Sequence, residues 1–171
     1  MMKKILATLF AGALLVVGTA GGASAYDPYP VDPENYTAET GWGAGCGFTG
    51  ANWAMYFTDG CTKIIAGNPK KSENNVGSIE IKPNGDGTVT VVVDLNEAKA
   101  AFADPLKLHI LYSDTAPTVK NPAPGQFPIN VEKLVEGVDY KFYDNVWQRV
   151  EVYNVPESNY YAVHADLLVK N

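Results

Sequence analysis

Two histidines, His109 and His164, are the side chains of this sequence best suited to chemistry at neutral pH, and they are its only histidines. Each lies in a segment with strand-like alternation, LKLHILYS or YYAVHADLLV, at a position opposite the main apolar set. If the two strands are neighbours, the imidazoles meet on one face of a sheet, near a carboxylate. Imidazole is a common transition-metal ligand and titrates near neutral pH, so the pattern predicts a metal site or an acid/base pair.

The alternative is that each histidine only hydrogen-bonds to a neighbour within a polar patch. A metal site needs a third protein ligand, and no sequence pattern identifies one. His109 and His164 are therefore the only candidate ligands for a transition metal. Other catalytic patterns are missing, because there is no G-x-S-x-G turn around a serine and no outstanding pair among the acidic residues. The sequence therefore predicts no catalytic residues, and no cofactor unless a metal binds to the histidines.

A proline-rich stretch, NPAPGQFP, follows the strand that carries His109. Its prolines and glycine exclude a helix and disfavour a strand, which predicts a stiffened loop that presents Gln126 and Phe127. Trp42 lies in a second irregular segment, GWGAGCGFTG. Aromatic rings beside amides suit sugar faces and protein interfaces, so these segments predict a binding surface. The alternative is that Trp42 and Phe127 fold inward as plugs at the end of the domain.

Residues 1–25 have the pattern of a signal peptide. Lys3 and Lys4 precede an apolar run, and a tail of small residues ends in ASA. The apolar run is shorter than the about 20 residues that a membrane span needs. We therefore expect cleavage before Tyr26 and a secreted mature chain without a transmembrane span, outside the cell or at its surface, with the periplasm as the alternative.

The chain is acidic, with a formal net charge of −6 at pH 7 and Arg149 as its single arginine. Nucleic-acid binding requires clusters of lysine and arginine that neutralise phosphates, so this class of partner is excluded. The cysteines, Cys46 and Cys61, are even in number in a chain predicted to enter an oxidising compartment. A disulfide between them is expected, with a stabilisation of roughly 3 kcal/mol.

Strand signals dominate the mature chain. Residues 26–38 are rich in proline and tyrosine, which predicts an extended arm, followed by one domain over 39–171. Val76–Lys82 and Thr88–Asp94 flank the turn PNGDG and are predicted to form a hairpin. The one helical candidate is Asp94–Asp104, which has a capping pattern and a proline after it. About eight short strands predict an all-β fold, an antiparallel β-sandwich with at most one or two short helical turns.

Several segments in this order resemble a recurring β-sandwich domain of exported bacterial and archaeal proteins, a domain without a settled function. The segments are ETGWG, NWAMYF, LHILYSDTAPT, NPAPGQFP and YYAVHADL, of which the proline-rich block is the most specific. The resemblance covers Glu39 to Leu168 and implies the fold and the position of a site, but no activity. It singles out Glu39, Trp42, His109, Tyr112, Asn121, Gly125, Gln126, Phe127 and His164. It also implies a strand over Asp94–Asp104, and it does not include the cysteine pair.

These patterns favour a secreted, non-enzymatic binding or structural module of the cell surface or extracellular matrix. Its expected partner is a glycan, a surface polymer or a protein. The candidate binding residues are Glu39, Trp42, His109, Tyr112, Gln126, Phe127 and His164. Two alternatives stay open: a secreted metal-dependent enzyme that uses His109 and His164, and a peptidase inhibitor that presents the loop 121–128. The sequence gives no indication of the oligomeric state.

Overall fold

The computed structural model describes residues 33–50, 53–58, 60–68, 74–120, 122–143 and 147–171. The predicted signal peptide, Tyr26, the first part of the predicted arm and Asn121 lie outside these residues. The last part of the arm consists of a single 3-10 turn, Pro33–Asn35, and the start of the first strand at Tyr36. The end of the predicted arm therefore forms part of the sheet.

The described residues form twelve β-strands and no α-helix. The strands are β1 (Tyr36–Gly43), β2 (Cys46–Gly47), β3 (Met55–Thr58), β4 (Cys61–Ala66), β5 (Asn75–Pro83), β6 (Thr88–Leu95), β7 (Ala100–Phe102), β8 (Leu108–Ser113), β9 (Ile129–Asn130), β10 (Tyr140–Tyr143), β11 (Arg149–Pro156) and β12 (Tyr160–Lys170). Single 3-10 turns cover Pro33–Asn35, Pro124–Gln126 and Val131–Lys133. The prediction of an all-β fold is confirmed, but the strands outnumber the about eight expected. In the part of the chain that the structure describes, no helix has the length and apolar character to cross a membrane.

Hydrogen bonds join all twelve strands into one sheet, in which the named strands pair antiparallel. The order is β10-β11-β6-β5-β4-β1-β12, and the other edge of β12 pairs with β7 and β8, with β9 beyond β8. β3 pairs with β12 beyond the point where β1 ends, and β2 pairs with β3. The two separate sheets of the predicted sandwich are therefore not seen among the described residues.

The sheet curls until strands from its two ends pack against each other. The ring of Phe102 on β7 lies 5.9 Å from the ring of Phe142 on β10, measured between centroids. The backbone N–H of Phe102 also donates to the carbonyl of Trp147, just before β11. One face of the sheet is thereby enclosed and forms the main core, with buried residues from β3 to β8, β11 and β12. Burial of this apolar face is the main driving force for the curl.

The outer face of the sheet carries a second, smaller apolar group, which we call the aromatic cluster. Its buried members are Trp42, Phe48, Ala54, Met55, Ile65, Phe127 and Ala162. They come from strands of the sheet and from residues 44–50, 53–54 and 122–128, which pack over the strands. Strand alternation explains the division, because on β12 Val163 and Ala165 face the main core whereas Ala162 faces the aromatic cluster.

The predicted hairpin around PNGDG is confirmed. β5 and β6 pair from Gly77 opposite Leu95 to Pro83 opposite Val89. In the turn, Gly85 has a positive φ of 81°, a backbone conformation that glycine adopts without the steric cost of a side chain. The local turn chemistry thus agrees with the pairing that the structure shows.

The helix predicted over Asp94–Asp104 is wrong. The chain continues along β6, turns and then forms β7 against β12, which is the strand that the family resemblance implied. Asp94 does not cap a helix; its Oδ2 accepts a hydrogen bond from Arg149 Nη1 at 2.9 Å. Burial explains the outcome, because Leu95 and Phe102 complete the main core and such packing outweighs weak local helix propensity.

The predicted disulfide is not formed, and Cys46 and Cys61 are both free and exposed. The ladder between β1 and β4, extended by a hydrogen bond from the Ala44 N–H to the Lys63 carbonyl, would bring residue 46 opposite residue 61 if it continued. Instead the chain reverses after Ala44, because β2 runs antiparallel to β3 whereas β1 and β3 both run antiparallel to β12. Cys46 therefore lies opposite Tyr56.

Candidate functional site

A row of buried side chains crosses four neighbouring strands on the outer face of the sheet. Trp42 on β1 lies opposite His164 on β12. On the other edge of β12, His164 lies opposite His109 of β8, and His109 lies opposite Asn130 of β9. All four side chains belong to residues that are at most 8% exposed. We call these four residues the histidine row; three long-range strand pairings create it.

The two imidazoles meet through their Nδ1 atoms, which lie 3.3 Å apart. The ring centroids are 5.5 Å apart, and the ring planes differ by 28°. The rings are therefore offset from each other and make contact at their Nδ1 atoms. In this contact one Nδ1 carries the proton that the other accepts.

Burial lowers the pKa of both histidines. The pKa of His164 falls to about 4, mainly because burial disfavours the imidazolium; Asp166 opposes this effect and His109 adds to it. Burial is also the main cause of the lowered pKa of His109, and Glu132 and Asp166 oppose it. Both rings are therefore neutral at neutral pH. A neutral pair that shares one Nδ1–H holds opposite tautomers, so one Nε2 is a bare acceptor and the other carries a proton.

The outer nitrogens of the pair are almost completely enclosed. Within the described residues, the Nδ1 contact is the one hydrogen bond that either ring makes, and every fully buried side-chain nitrogen or oxygen has a partner. The Nε2 atoms therefore keep a slight exposure, within residues that are only 6% and 8% exposed. One of these atoms is a donor and the other an acceptor.

Trp42 is the centre of the aromatic cluster. Its ring lies 4.9 Å from the ring of His164 and 6.3 Å from the ring of Phe127, edge to face in both cases. Phe48 and Trp53 contact it in the same way, each at 6.3 Å. Such aromatic pairs stabilise by about 0.5–1.5 kcal/mol beyond the burial of their area. Trp42 and Phe127 are 5% and 8% exposed. Both rings therefore point inward, as in the alternative in which they plug the end of the domain, and neither is presented on a binding surface.

Phe127 fastens the proline-rich loop to the sheet. In the 3-10 turn Pro124–Gln126, the N–H of Phe127 donates to the carbonyl of Pro124 at 2.9 Å. Phe127 then packs into the aromatic cluster, whereas Gly125 and Gln126 are exposed. The loop thus has a buried foot, Phe127, and an exposed tip. Of the two side chains that the loop was expected to present, only Gln126 is exposed.

Two further candidate residues lie away from the histidine row. Tyr112 on β8 packs against the main core, on the face opposite to His109. Glu39 on β1 is exposed and lies opposite Leu167, nearer the end of β12. The structure therefore brings together Trp42, His109, His164 and Phe127, with Gln126 beside them, and leaves Glu39 and Tyr112 outside this group.

Asn130 is the member of the histidine row that sequence reasoning missed. Its side chain accepts a hydrogen bond from the N–H of Glu132 at 3.3 Å and so caps the 3-10 turn Val131–Lys133. An asparagine two residues before a glutamate is compatible with such a cap, which is the one local signal present. Its position beside His109 depends on the pairing of β8 with β9, which no local pattern encodes.

The metal-binding interpretation gains no third ligand from the described residues. Among them, no group of three or more histidine, cysteine, aspartate and glutamate side chains is placed to hold a metal ion. Asp166, the carboxylate expected near the histidines, has Lys107 Nζ 3.7 Å from its Oδ2. What the imidazole pair offers chemically is one hydrogen-bond donor and one acceptor at its Nε2 atoms.

A scan against protein-family models returned no match, and neither did searches of curated proteins and of solved structures. The resemblance to an exported β-sandwich domain therefore stays a prediction. Because a fold alone does not specify an activity, the function has to be argued from the site itself.

Proposed function

We propose that this protein is a secreted, non-enzymatic binding or structural module of the cell surface or extracellular matrix. It recognises a glycan, a surface polymer or another protein with the exposed surface around the proline-rich loop. The observation that carries the proposal is the buried foot of the loop, Phe127, which holds the exposed Gln126 beside the histidine row.

Rigidity favours a binding role for this loop. Its prolines restrict the backbone, its 3-10 turn adds a local hydrogen bond, and Phe127 is packed against Trp42. A loop that is already ordered loses little conformational entropy when it binds. Contacts made by Gln126 therefore add to affinity with little ordering cost, which is the usual advantage of a binding loop on a rigid scaffold.

The histidine row supplies the same region with polar contacts. Trp42 packs against His164, and the Nε2 atoms of His109 and His164 offer a donor and an acceptor at the slightly exposed side of the pair. Hydroxyl groups of a glycan and peptide groups of a protein offer the complementary acceptors and donors. Because both rings are neutral, a ligand can cover them without burying a charge, which would be costly.

The secreted location is supported by the signal-like pattern of residues 1–25. N-terminal sequencing of the protein recovered from the culture medium tests it. A start at Tyr26 supports the proposal, and an uncleaved chain retained in the membrane fraction contradicts it. We also interpret the curled sheet as a variant of the β-sandwich, because its one sheet folds over and packs on itself.

Binding of the mature chain to a glycan array and to isolated cell-surface material tests the recognition function. We expect Gln126→Ala to weaken binding by about 2–10-fold, because one intermolecular hydrogen bond contributes about 0.5–1.5 kcal/mol. Gln148→Ala is the matched control, since Gln148 is a half-buried amide just before β11. Equal losses in the two variants, or no binding to any of these materials, contradict the proposal.

A further inference from the structure

A groove at one end of the curled sheet is separate from the histidine row. It has a volume of about 540 Å³, which lies within the range of about 300–1,000 Å³ typical of ligand pockets. It is bounded by β1, the end of β4, the start of β5 and the end of β12, and the turn before β7 closes one side. The open end of a closed or curled sheet is a frequent position for a ligand site.

The groove has an apolar floor and a polar rim. Its floor includes Ala66 and Val76, which belong to the main core. Its rim carries the carboxylate of Glu39, the ammonium groups of Lys99 and Lys170, and three side-chain amides, from Asn68, Asn74 and Asn171. An apolar floor with a few converging polar groups is the common construction of a small-molecule site.

Glu39 is the acidic side chain of the rim. Among the described residues its carboxylate has no hydrogen bond and no ion pair. A Cβ atom placed on Gly67 would lie 3.3 Å from Glu39 Oε2 and 3.7 Å from Asn74 Nδ2. The carboxylate and the amide thus lie close together beside Gly67, and the Asn74 amide also donates to the carbonyl of Asn68 at 3.0 Å.

The two lysines of the rim do not neutralise this carboxylate. Lys99 Nζ donates to the carbonyl of Asn75 at 2.8 Å, which leaves two of its protons for a ligand. Lys170 is exposed, and neither lysine has an ion pair in the part of the chain that the structure describes. A ligand with a single kind of charge is attracted by one kind of rim group and repelled by the other. A neutral ligand rich in hydroxyl groups satisfies both kinds of rim residue, because each hydroxyl donates and accepts.

We propose that this groove binds a neutral saccharide, with the carboxylate of Glu39 accepting hydroxyl protons and with Lys99 and Lys170 donating to the sugar oxygens. The site is distinct from the surface around the proline-rich loop. The groove shares no lining residue with that surface. The groove can therefore bind a saccharide even if the surface around the loop binds nothing.

Isothermal titration calorimetry of the mature chain tests the groove with a panel of neutral and uronic mono- and oligosaccharides. We expect neutral members to bind and Glu39→Gln to weaken their affinity about tenfold or more, because a charged acceptor forms stronger hydrogen bonds than an amide. Lys99→Met should weaken it by a smaller factor. Glu136→Gln changes an exposed carboxylate outside the groove and should leave the affinity unchanged.

Three outcomes overturn the proposal: no neutral saccharide binds, only uronic saccharides bind, or Glu39→Gln and Glu136→Gln behave alike. Gln126→Ala separates the two proposed surfaces. If saccharide binding is lost in Gln126→Ala and retained in Glu39→Gln, the loop binds the sugar and the groove does not. Thermal melts of each variant verify folding, which we expect to be retained because Glu39 is exposed.

Discussion

The histidine row and the groove at the end of the sheet both hold polar side chains, but they differ in burial. The row consists of residues at most 8% exposed, in which His164 contacts the ring of Trp42 and the ring of His109, so packing fixes their geometry. The rim of the groove holds exposed charged groups, and Glu39 has no partner among the described residues. A substitution in the row should therefore change stability first, whereas a substitution in the rim should change ligand affinity first.

The proline-rich loop combines the two situations within adjacent residues. Phe127 is buried in the aromatic cluster, and Gln126 is exposed at the tip. These two adjacent residues of one loop therefore differ in the same way as the row and the groove: one is buried and the other is exposed.

Trp42→Ala should give the largest loss of stability. Trp42 contacts four other rings, those of Phe48, Trp53, Phe127 and His164, and truncation of a buried aromatic residue costs about 3–5 kcal/mol. Urea unfolding followed by fluorescence and circular dichroism measures the loss. Trp53→Ala is the control, because Trp53 is only half-buried and its truncation should cost less. A loss below about 1 kcal/mol for Trp42→Ala would show that the cluster is not a packed unit.

Phe127→Ala should lower the free energy of unfolding by about 3 kcal/mol, because it removes the buried foot of the loop. A thermal melt provides the measurement, with Gln126→Ala as the neighbouring control. The control should stay within about 0.5 kcal/mol of the wild type, as is usual for exposed positions. A melting temperature unchanged by Phe127→Ala would contradict the assignment of Phe127 as an anchor of the loop.

The histidine row should make stability depend on pH. His109 and His164 have folded-state pKa values below the ordinary value of 6.5, so the unfolded chain binds more protons in acid. The stability contributed by the neutral pair is therefore complete above pH 6.5 and is lost as the pH falls towards about 4, the pKa of His164. We expect a loss of about 2–3 kcal/mol over this window.

Urea midpoints measured between pH 7 and pH 4 test this dependence, and His164→Asn is the matched variant. The variant should be less stable at neutral pH and should show a flatter profile over the same window, because it lacks the group that resists protonation. Burial raises the pKa of Glu151, but its hydrogen bonds to Arg149 and Tyr143 lower the pKa below the ordinary value of 4.5. Protonation of Glu151 therefore changes stability below pH 4.5 and adds no slope above it. A wild-type profile without slope above pH 4.5 would show that the pair is not buried as a neutral unit.

Glu39→Gln should have the smallest effect on stability, within about 0.5 kcal/mol of the wild type. The side chain is exposed and has no partner among the described residues, so its charge contributes little to folding. Thermal melts at neutral pH measure the difference, with Glu136→Gln as the control. A loss of more than about 1 kcal/mol would indicate that Glu39 is a structural residue and would remove the contrast between rim and row.

Alternation along single strands predicted which residues share a face. In LKLHILYS and YYAVHADLLV, the apolar sets face the main core and both histidines face outward, because successive side chains of a strand point to opposite faces. The hairpin turn was also predictable, since its glycines and asparagine act within a few residues. These features depend on interactions that each segment makes with itself or its immediate neighbour.

Local patterns failed where remote packing decided the outcome. Asp94–Asp104 has the capping signals of a helix, yet its apolar residues complete the main core as strands. The even number of cysteines predicted a disulfide between Cys46 and Cys61, yet both are free, because the chain reverses after Ala44 and places Cys46 beside β3. Phe127 was compatible with an exposed or a buried position until its contact with Trp42 was known.

The sequence by itself determined the strand character of most segments, the outward face of His109 and His164 and the turn within the proline-rich loop. Only the tertiary structure decided that the two imidazoles meet, because they are 55 residues apart and their contact depends on the register between β8 and β12. The same holds for Asn130 and for the groove around Glu39, which are assembled from several strands. Register and curl are set by the burial of the whole apolar face and by hydrogen bonds between remote strands, and no single segment contains that information.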